Sequence, residues 1–208
     1  MPRMRLLLLS AVLAVLSLAA RAEAPTGTEW LDDLRRGGYV IVLRHGATTS
    51  EPSKVDSMSR PNVPADRQLS ERGRAQAKAI GQSMRKLNIP VALILASTVQ
   101  RALDTATLLD LGEVKPTADL AESGPALSPE ESKRRAEAFR KLIGMQPPAG
   151  NNVVIVSHKP NIVDALGEGW SDVHEGEASI FQPAGNGSYR LITRVQADAW
   201  NALTGGSQ

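Results

Sequence analysis

The sequence predicts an α/β fold, a three-layer sandwich with a mostly parallel central sheet flanked by helices. Three observations predict it. The runs Tyr39–Leu43, Val91–Ala96 and Val153–Val156 are short, apolar and rich in β-branched residues. They lack the alternation of a half-exposed strand, so each reads as a strand buried on both faces. A loop or a helical pattern follows each run, which is the βα alternation of a parallel sheet. Finally, 208 residues with 42% apolar and 22% charged side chains suit one domain with a sizeable core.

Taken in order, residues 1–24 read as a secretory signal. Arg3 and Arg5 form a positive start, Leu6–Ala20 is apolar but for two serines, and Ala20-Arg-Ala22 offers a cleavage pattern, with Ala22-Glu-Ala24 the second choice. Cleavage after Ala22 or Ala24 leaves residues 25–208 as a single domain. Thr28 caps a short helix to Arg36, stopped by Gly37. After the first strand, residues 47–68 carry Pro52, Pro61, Pro64 and several serines without a sustained period, a long loop leaving from a strand end. Lys54, Arg60 and Arg67 in it are placed to meet an anion. Ser70 opens a helix to about Leu87, with Ala75, Ala79, Ile80, Met84 and Leu87 as its expected buried face.

Beyond the second strand, Ser97-Thr-Val-Gln100 has the form of a capping box that starts a helix carrying Arg101. Residues 113–116 read as a short strand, and Ser128-Pro129-Glu-Glu131 opens a helix to about Ile143. The third strand ends in Ser157-His158, and Pro160 starts another helix. Residues 178–181 and 189–195, joined through Gly185-Asn-Gly187, read as a closing hairpin.

Composition excludes several functions. Aromatic residues are 3% of the chain, too few for stacking single-stranded nucleic acid. The net charge of +2 falls to −1 on cleavage after Ala22, which removes Arg3, Arg5 and Arg21 and leaves 21 basic against 22 acidic residues. The mature domain therefore has no net attraction for nucleic acid or for a membrane, which it would meet only through an uncleaved leader. With no cysteine there is neither a disulfide nor thiolate chemistry.

The chemistry gathers at the strand ends. Arg44-His45-Gly46, Ser97 leading to Arg101, and His158 all fall at C-terminal strand ends, where open parallel sheets bind ligands. Two arginines supply planar donor forks for a dianion, and neutral histidine is a nucleophile near pH 7. Gly46 lets a backbone N–H approach an anion. Phosphoryl transfer asks for this set: Arg44 and Arg101 on the non-bridging oxygens, His45 in line with phosphorus, His158 donating to the same oxygens. A carboxylic acid is needed for the leaving group, and no metal or other cofactor is required.

These motifs resemble the histidine phosphatase superfamily, the phosphoglycerate-mutase-like fold, in its small branch. The matching residues are Leu43-Arg44-His45-Gly46 with Thr48, then Leu69-Ser70-x-x-Gly73-x-x-Gln76-Ala77. Ser97, Arg101-Ala102-x-x-Thr105-Ala106 and Val156-Ser157-His158 complete the set, in the family's order. The resemblance implies a phosphohistidine mechanism with His45 as nucleophile and Arg44, Arg101 and His158 as the phosphate pocket. Leu120-Ala-Glu122 resembles the Leu-x-Glu that carries the acid in mutase-like members. Glu177 competes for that role, and some small members manage without it. The chain departs from the family at Ala47, where many members carry Glu or Gln.

The expected activity is hydrolysis of a small-molecule or glycan phosphoester, a sugar phosphate among them, in the periplasm or outside the cell. Exported members of this size include phosphatases similar to those acting on lipopolysaccharide-core heptose phosphate. The alternative is a non-catalytic phosphoryl-binding envelope protein on the same scaffold. Mutase activity is disfavoured by the short chain. A zinc site from His45, His158 and His174 lacks the H-E-x-x-H pattern, and no P-loop or serine-hydrolase elbow is present.

Overall fold

A computed structural model describes residues 27–49, 67–123 and 127–205. The leader and most of the loop expected over 47–68, with Lys54 and Arg60, lie outside the described residues. In chain order the elements are α1 (Glu29–Arg36), β1 (Val40–Arg44), α2 (Glu71–Lys86), β2 (Val91–Ser97), α3 (Gln100–Leu109) and β3 (Val114–Thr117). They continue with α4 (Pro129–Ile143), β4 (Asn152–Ser157), α5 (Lys159–Leu166), β5 (Ala178–Gly185), β6 (Ser188–Val195) and α6 (Ala199–Leu203).

The strands form one sheet in the order β3-β2-β4-β1-β5-β6. The β1–β4, β4–β2 and β2–β3 pairs are parallel, while β5 runs antiparallel to β1 and β6 antiparallel to β5. This is the expected mostly parallel sandwich. The runs of β1 and β4 lack alternation because both faces are covered, whereas β2 is only partly covered on one face, with Ala92 exposed and Leu93 and Leu95 half-buried. Ile41 and Leu43 pack with Ile80, Met84, Ile94 and Trp200 beneath α1, α2, α3 and α6. Val40 and Val42 pack on the opposite face with Phe139, Ile143 and Phe181 beneath α4 and α5. Register then sets the site: Arg44 stands beside Ser157, and Ala96 beside Val156. The ends of β1, β2 and β4 therefore share one edge.

Two helix starts follow their capping signals. Ser70 Oγ accepts the Gly73 N–H at 3.1 Å, and Ser128 Oγ accepts that of Glu131 at 3.2 Å ahead of Pro129. Ser97 is a correction. It does not cap α3, which begins at Gln100 after Val99; its hydroxyl accepts the Val99 N–H at 3.1 Å and faces His158.

The buried face of α2 is corrected in part: Ile80, Met84 and Leu87 are buried as expected. Ala75 and Ala79 are exposed, and Gly73, Ala77, Ile80, Gly81 and Met84 are buried. The reason is close backbone approach. A Cβ on Gly73 would stand 2.0 Å from the Ala47 carbonyl oxygen, and one on Gly81 1.8 Å from that of Leu109. Apolar periodicity ranks alanine above glycine and so misses a face built from missing side chains. The last helix, α6, was not foreseen; it brings the buried Trp200 edge-on to Trp30 at 6.2 Å.

Candidate active site

His45 leaves β1 as the chain turns, and its ring is 2% exposed. Its Nδ1 lies 2.8 Å from the Gly46 carbonyl oxygen, an acceptor only, so Nδ1 carries the proton and donates. The other nitrogen, Nε2, is then a bare lone pair, and Arg101 Nε donates to it at 3.2 Å. Arg101 is the second residue of α3 and is almost fully buried. Its Nη2 is ion-paired with Glu122 Oε2. Arg44 spends Nη1 on the Val173 carbonyl at 2.7 Å and holds Glu175 Oε1 at 3.6 Å from Nη2, while its buried Nε has no partner among the described residues. His158 ends β4 with its ring centroid 5.2 Å from that of His45. Its Nε2 is 2.7 Å from Ser97 Oγ, and its buried Nδ1 has no partner among the described residues. Ser97 Oγ accepts from Val99 N–H and has its own proton to give to His158 Nε2. In that tautomer Nδ1–H of His158, like Nε–H of Arg44, is a buried donor short of an acceptor. Buried donors without acceptors mark a place built for an anion.

Sequence reasoning thus named four side chains that the fold brings together, Arg44, His45, Arg101 and His158, with Glu122 on Arg101. Glu177 is placed differently. It is fully buried, with Oε1 2.5 Å from Arg194 Nε and Oε2 accepting from Gln196 Nε2 at 2.7 Å and from the His174 N–H at 3.1 Å. Both oxygens are taken, and the residue ties β6 to the end of β5. The three histidines do not assemble, since among the described residues no group of three or more His, Asp or Glu is placed to hold a metal.

The role expected for Gly46 changes. Its N–H donates to Thr105 Oγ1 at 3.1 Å rather than facing a ligand, and a Cβ there would press on the Gly73 carbonyl at 2.8 Å. Thr105 Oγ1 in turn donates to the Arg101 carbonyl at 2.7 Å, which locks the His45 turn to α3. Gln76 makes the matching brace on the other side, accepting from Ala47 N–H at 3.1 Å and donating to the Glu175 carbonyl at 3.2 Å. Both were motif residues without an assigned task. Glu175 was missed altogether: it accepts from Thr48 Oγ1 at 3.0 Å and faces Arg44, and nothing in its local sequence announces that.

Burial and nearby charge favour the neutral form of both rings at this edge. Burial, then Arg101, Arg44 and Arg67, pushes His45 down to about 3 against the opposing Gly46 hydrogen bond. Burial, then His45, Arg101 and Arg44, pushes His158 down to about 2. The unfolded histidines take protons near 6.5, so between that pH and about 3 the unfolded state binds more protons than the folded one. Stability is therefore full above about pH 6.5 and falls as pH drops, by about 1.4 kcal/mol per pH unit for each ring. Urea unfolding at pH 7, 6 and 5 should show that decline. A level free energy over this range would mean that both rings take up protons in the native state, and half the decline would mean that one does.

A buried histidine with a free ring nitrogen thus stands beside two guanidinium groups at the edge of the parallel sheet. Comparison with known proteins shows what the chain is similar to. Residues 40–126 match the family model of the Histidine phosphatase superfamily (branch 1). Among solved structures, the protein histidine phosphatase SixA complexed with tungstate is similar at TM-score 0.56 and 15% identity, over 77% of this chain and 98% of that one. Phosphoserine phosphatase from Entamoeba histolytica, in complex with 3-phosphoglyceric acid, is similar at TM-score 0.53 and 17% identity, over 76% and 98%. The product of open reading frame Rv3214 of Mycobacterium tuberculosis is similar at TM-score 0.51 and 22% identity, over 76% and 97%. A search of curated proteins finds no match. The family match over residues 40–126 and the fold shared with these structures support an enzyme of the phosphatase class.

Proposed function

We propose that the chain is a metal-independent phosphomonoester hydrolase that works through a phosphohistidine on His45, acting outside the cytoplasm on a small-molecule or glycan phosphoester such as a sugar phosphate. The observation that carries this is the tautomer of His45: Nδ1–H is pinned on Gly46, and Nε2 offers its lone pair beside Arg101. The ester enters as a dianion, its non-bridging oxygens taken by Arg44, Arg101 and the free N–H of His158. Nε2 attacks phosphorus as the ester oxygen leaves, and the positive imidazole that results is stabilised through Nδ1–H by the Gly46 carbonyl.

Glu122 gives the leaving alkoxide its proton. In the free chain its carboxylate neutralises Arg101. After the alcohol departs, Glu122 takes a proton from water, hydroxide attacks the phosphohistidine, and phosphate leaves with His45 neutral again. Export is supported by the leader pattern in residues 1–24. No helix of the described residues is long and apolar enough to cross a membrane. The similar structures that hold tungstate or 3-phosphoglyceric acid support a small oxyanion-bearing ligand.

The test is phosphate release by residues 25–208 from a panel of phosphomonoesters in the presence of a chelator. Release should persist. Glu122→Gln should lower kcat/KM for alkyl esters by about 100-fold and leave an aryl ester with a good leaving group nearly unchanged. The same variant should bind tungstate more tightly, because Arg101 then loses a competing anion. Absence of release from every ester, with tungstate still raising the melting temperature, would favour the binding-protein reading instead.

A further inference from the structure

The fold holds Glu122 in place by means that its own sequence neighbourhood does not suggest. Ala121 leaves the short turn 118–120 in an extended conformation, and the Glu122 side chain that follows is about one-third exposed. A single buried side chain grips the backbone on both sides of it. Asn161, 2% exposed in the first turn of α5, donates from Nδ2 to the Ala121 carbonyl at 2.8 Å and accepts the Ser123 N–H on Oδ1 at 3.0 Å. The primary amide thus stands in for the peptide of a neighbouring strand. Ser157 Oγ adds a bond to the Leu120 carbonyl at 3.2 Å, and Leu120 is fully buried. Asn161 and Ser157 flank His158 in sequence. The turn that presents His158 to the site is the turn that clamps the Glu122 segment.

We infer that Asn161 is a positioning residue for the leaving-group acid, setting Glu122 on Arg101 and in register with His158. The inference rests on the phosphatase reading and on the acid role of Glu122. A carboxyl group displaced by 1 Å loses proton-transfer efficiency steeply, whereas phosphate contacts through the arginines and His158 stay as they are. A clamp of this kind therefore shows in leaving-group dependence. A merely structural residue would depress every substrate alike.

The experiment measures kcat/KM for an alkyl phosphomonoester and for p-nitrophenyl phosphate, together with tungstate inhibition, in the wild type, Asn161→Ala, Asn161→Asp, Glu122→Gln and the Asn161→Ala/Glu122→Gln pair. Asn161→Ala should lose at least about tenfold on the alkyl ester while the aryl ester and tungstate inhibition stay within about threefold. On the alkyl ester the double variant should be no worse than Glu122→Gln alone, because both changes remove one function. Asn161→Asp is isosteric and keeps the acceptor for Ser123, so it should show the same selective loss if Asn161→Ala fails to fold. Equal losses on both esters, or losses that multiply in the double variant, overturn the clamp while the phosphatase reading stands. A wild-type chain inert toward both esters overturns that reading and the clamp with it.

Discussion

His45→Ala should abolish phosphate release, by at least about 10³–10⁴-fold in kcat, and leave oxyanion binding in place. The donors proposed for phosphate lie on other residues, Arg44, Arg101 and His158, so tungstate should still raise the melting temperature of the variant. A radiolabelled ester quenched in alkali, where phosphohistidine survives, should label the wild type and not His45→Ala. Geometry makes His45 rather than His158 the labelled residue. The reactive nitrogen of His45 carries no proton, because that proton is fixed on the Gly46 carbonyl. His158 commits its Nε2 to Ser97 instead. Label that survives in His45→Ala and vanishes in His158→Ala would reverse the two assignments. The same variant bears on the acid stability of the fold: with one neutral ring removed, the loss of stability below about pH 6.5 should be shallower by that ring's share.

Why these four residues could be read from sequence is a matter of where parallel strands end. Arg44-His45 and His158 sit directly on the last residues of apolar runs, and a run buried on both faces fixes its own register within a residue. Arg101 follows β2 by so few residues that its helix must begin at the same edge. The roles that went unread are of a different kind. Gly73 and Gly81 matter through the side chain that they lack, so apolar periodicity passed over them. Ser97 matched a capping box that its hydroxyl does not make, because bonds to Val99 and His158 compete for it. Glu175 and Asn161 act across sequence separations of 131 and 40 residues, on Arg44 and Ala121 respectively. No local pattern encodes such a pairing; only the closed sheet brings the partners together.

Arg101→Ala should cost about as much as the loss of the nucleophile, because one guanidinium serves three functions. It holds the lone pair of His45, it is the counter-charge of Glu122, and it depresses both histidines by its own charge. Its removal should lower kcat/KM by about 10³-fold and weaken tungstate inhibition in parallel. Arg101→Lys separates charge from shape. Lysine returns the positive charge but offers a single ammonium where Arg101 reaches His45 through Nε and Glu122 through Nη2, so it should restore less than about tenfold of the lost activity. Titration of the imidazole resonances should show both rings moving upward in Arg101→Ala and remaining below 6.5, since burial is the first cause of their depression and Arg101 only an added one. If Arg101→Lys were as active as wild type, the fork geometry would be irrelevant and the site would need only a cation. If the rings did not move at all in Arg101→Ala, the guanidinium would stand too far from them in solution to hold a phosphoryl oxygen over His45.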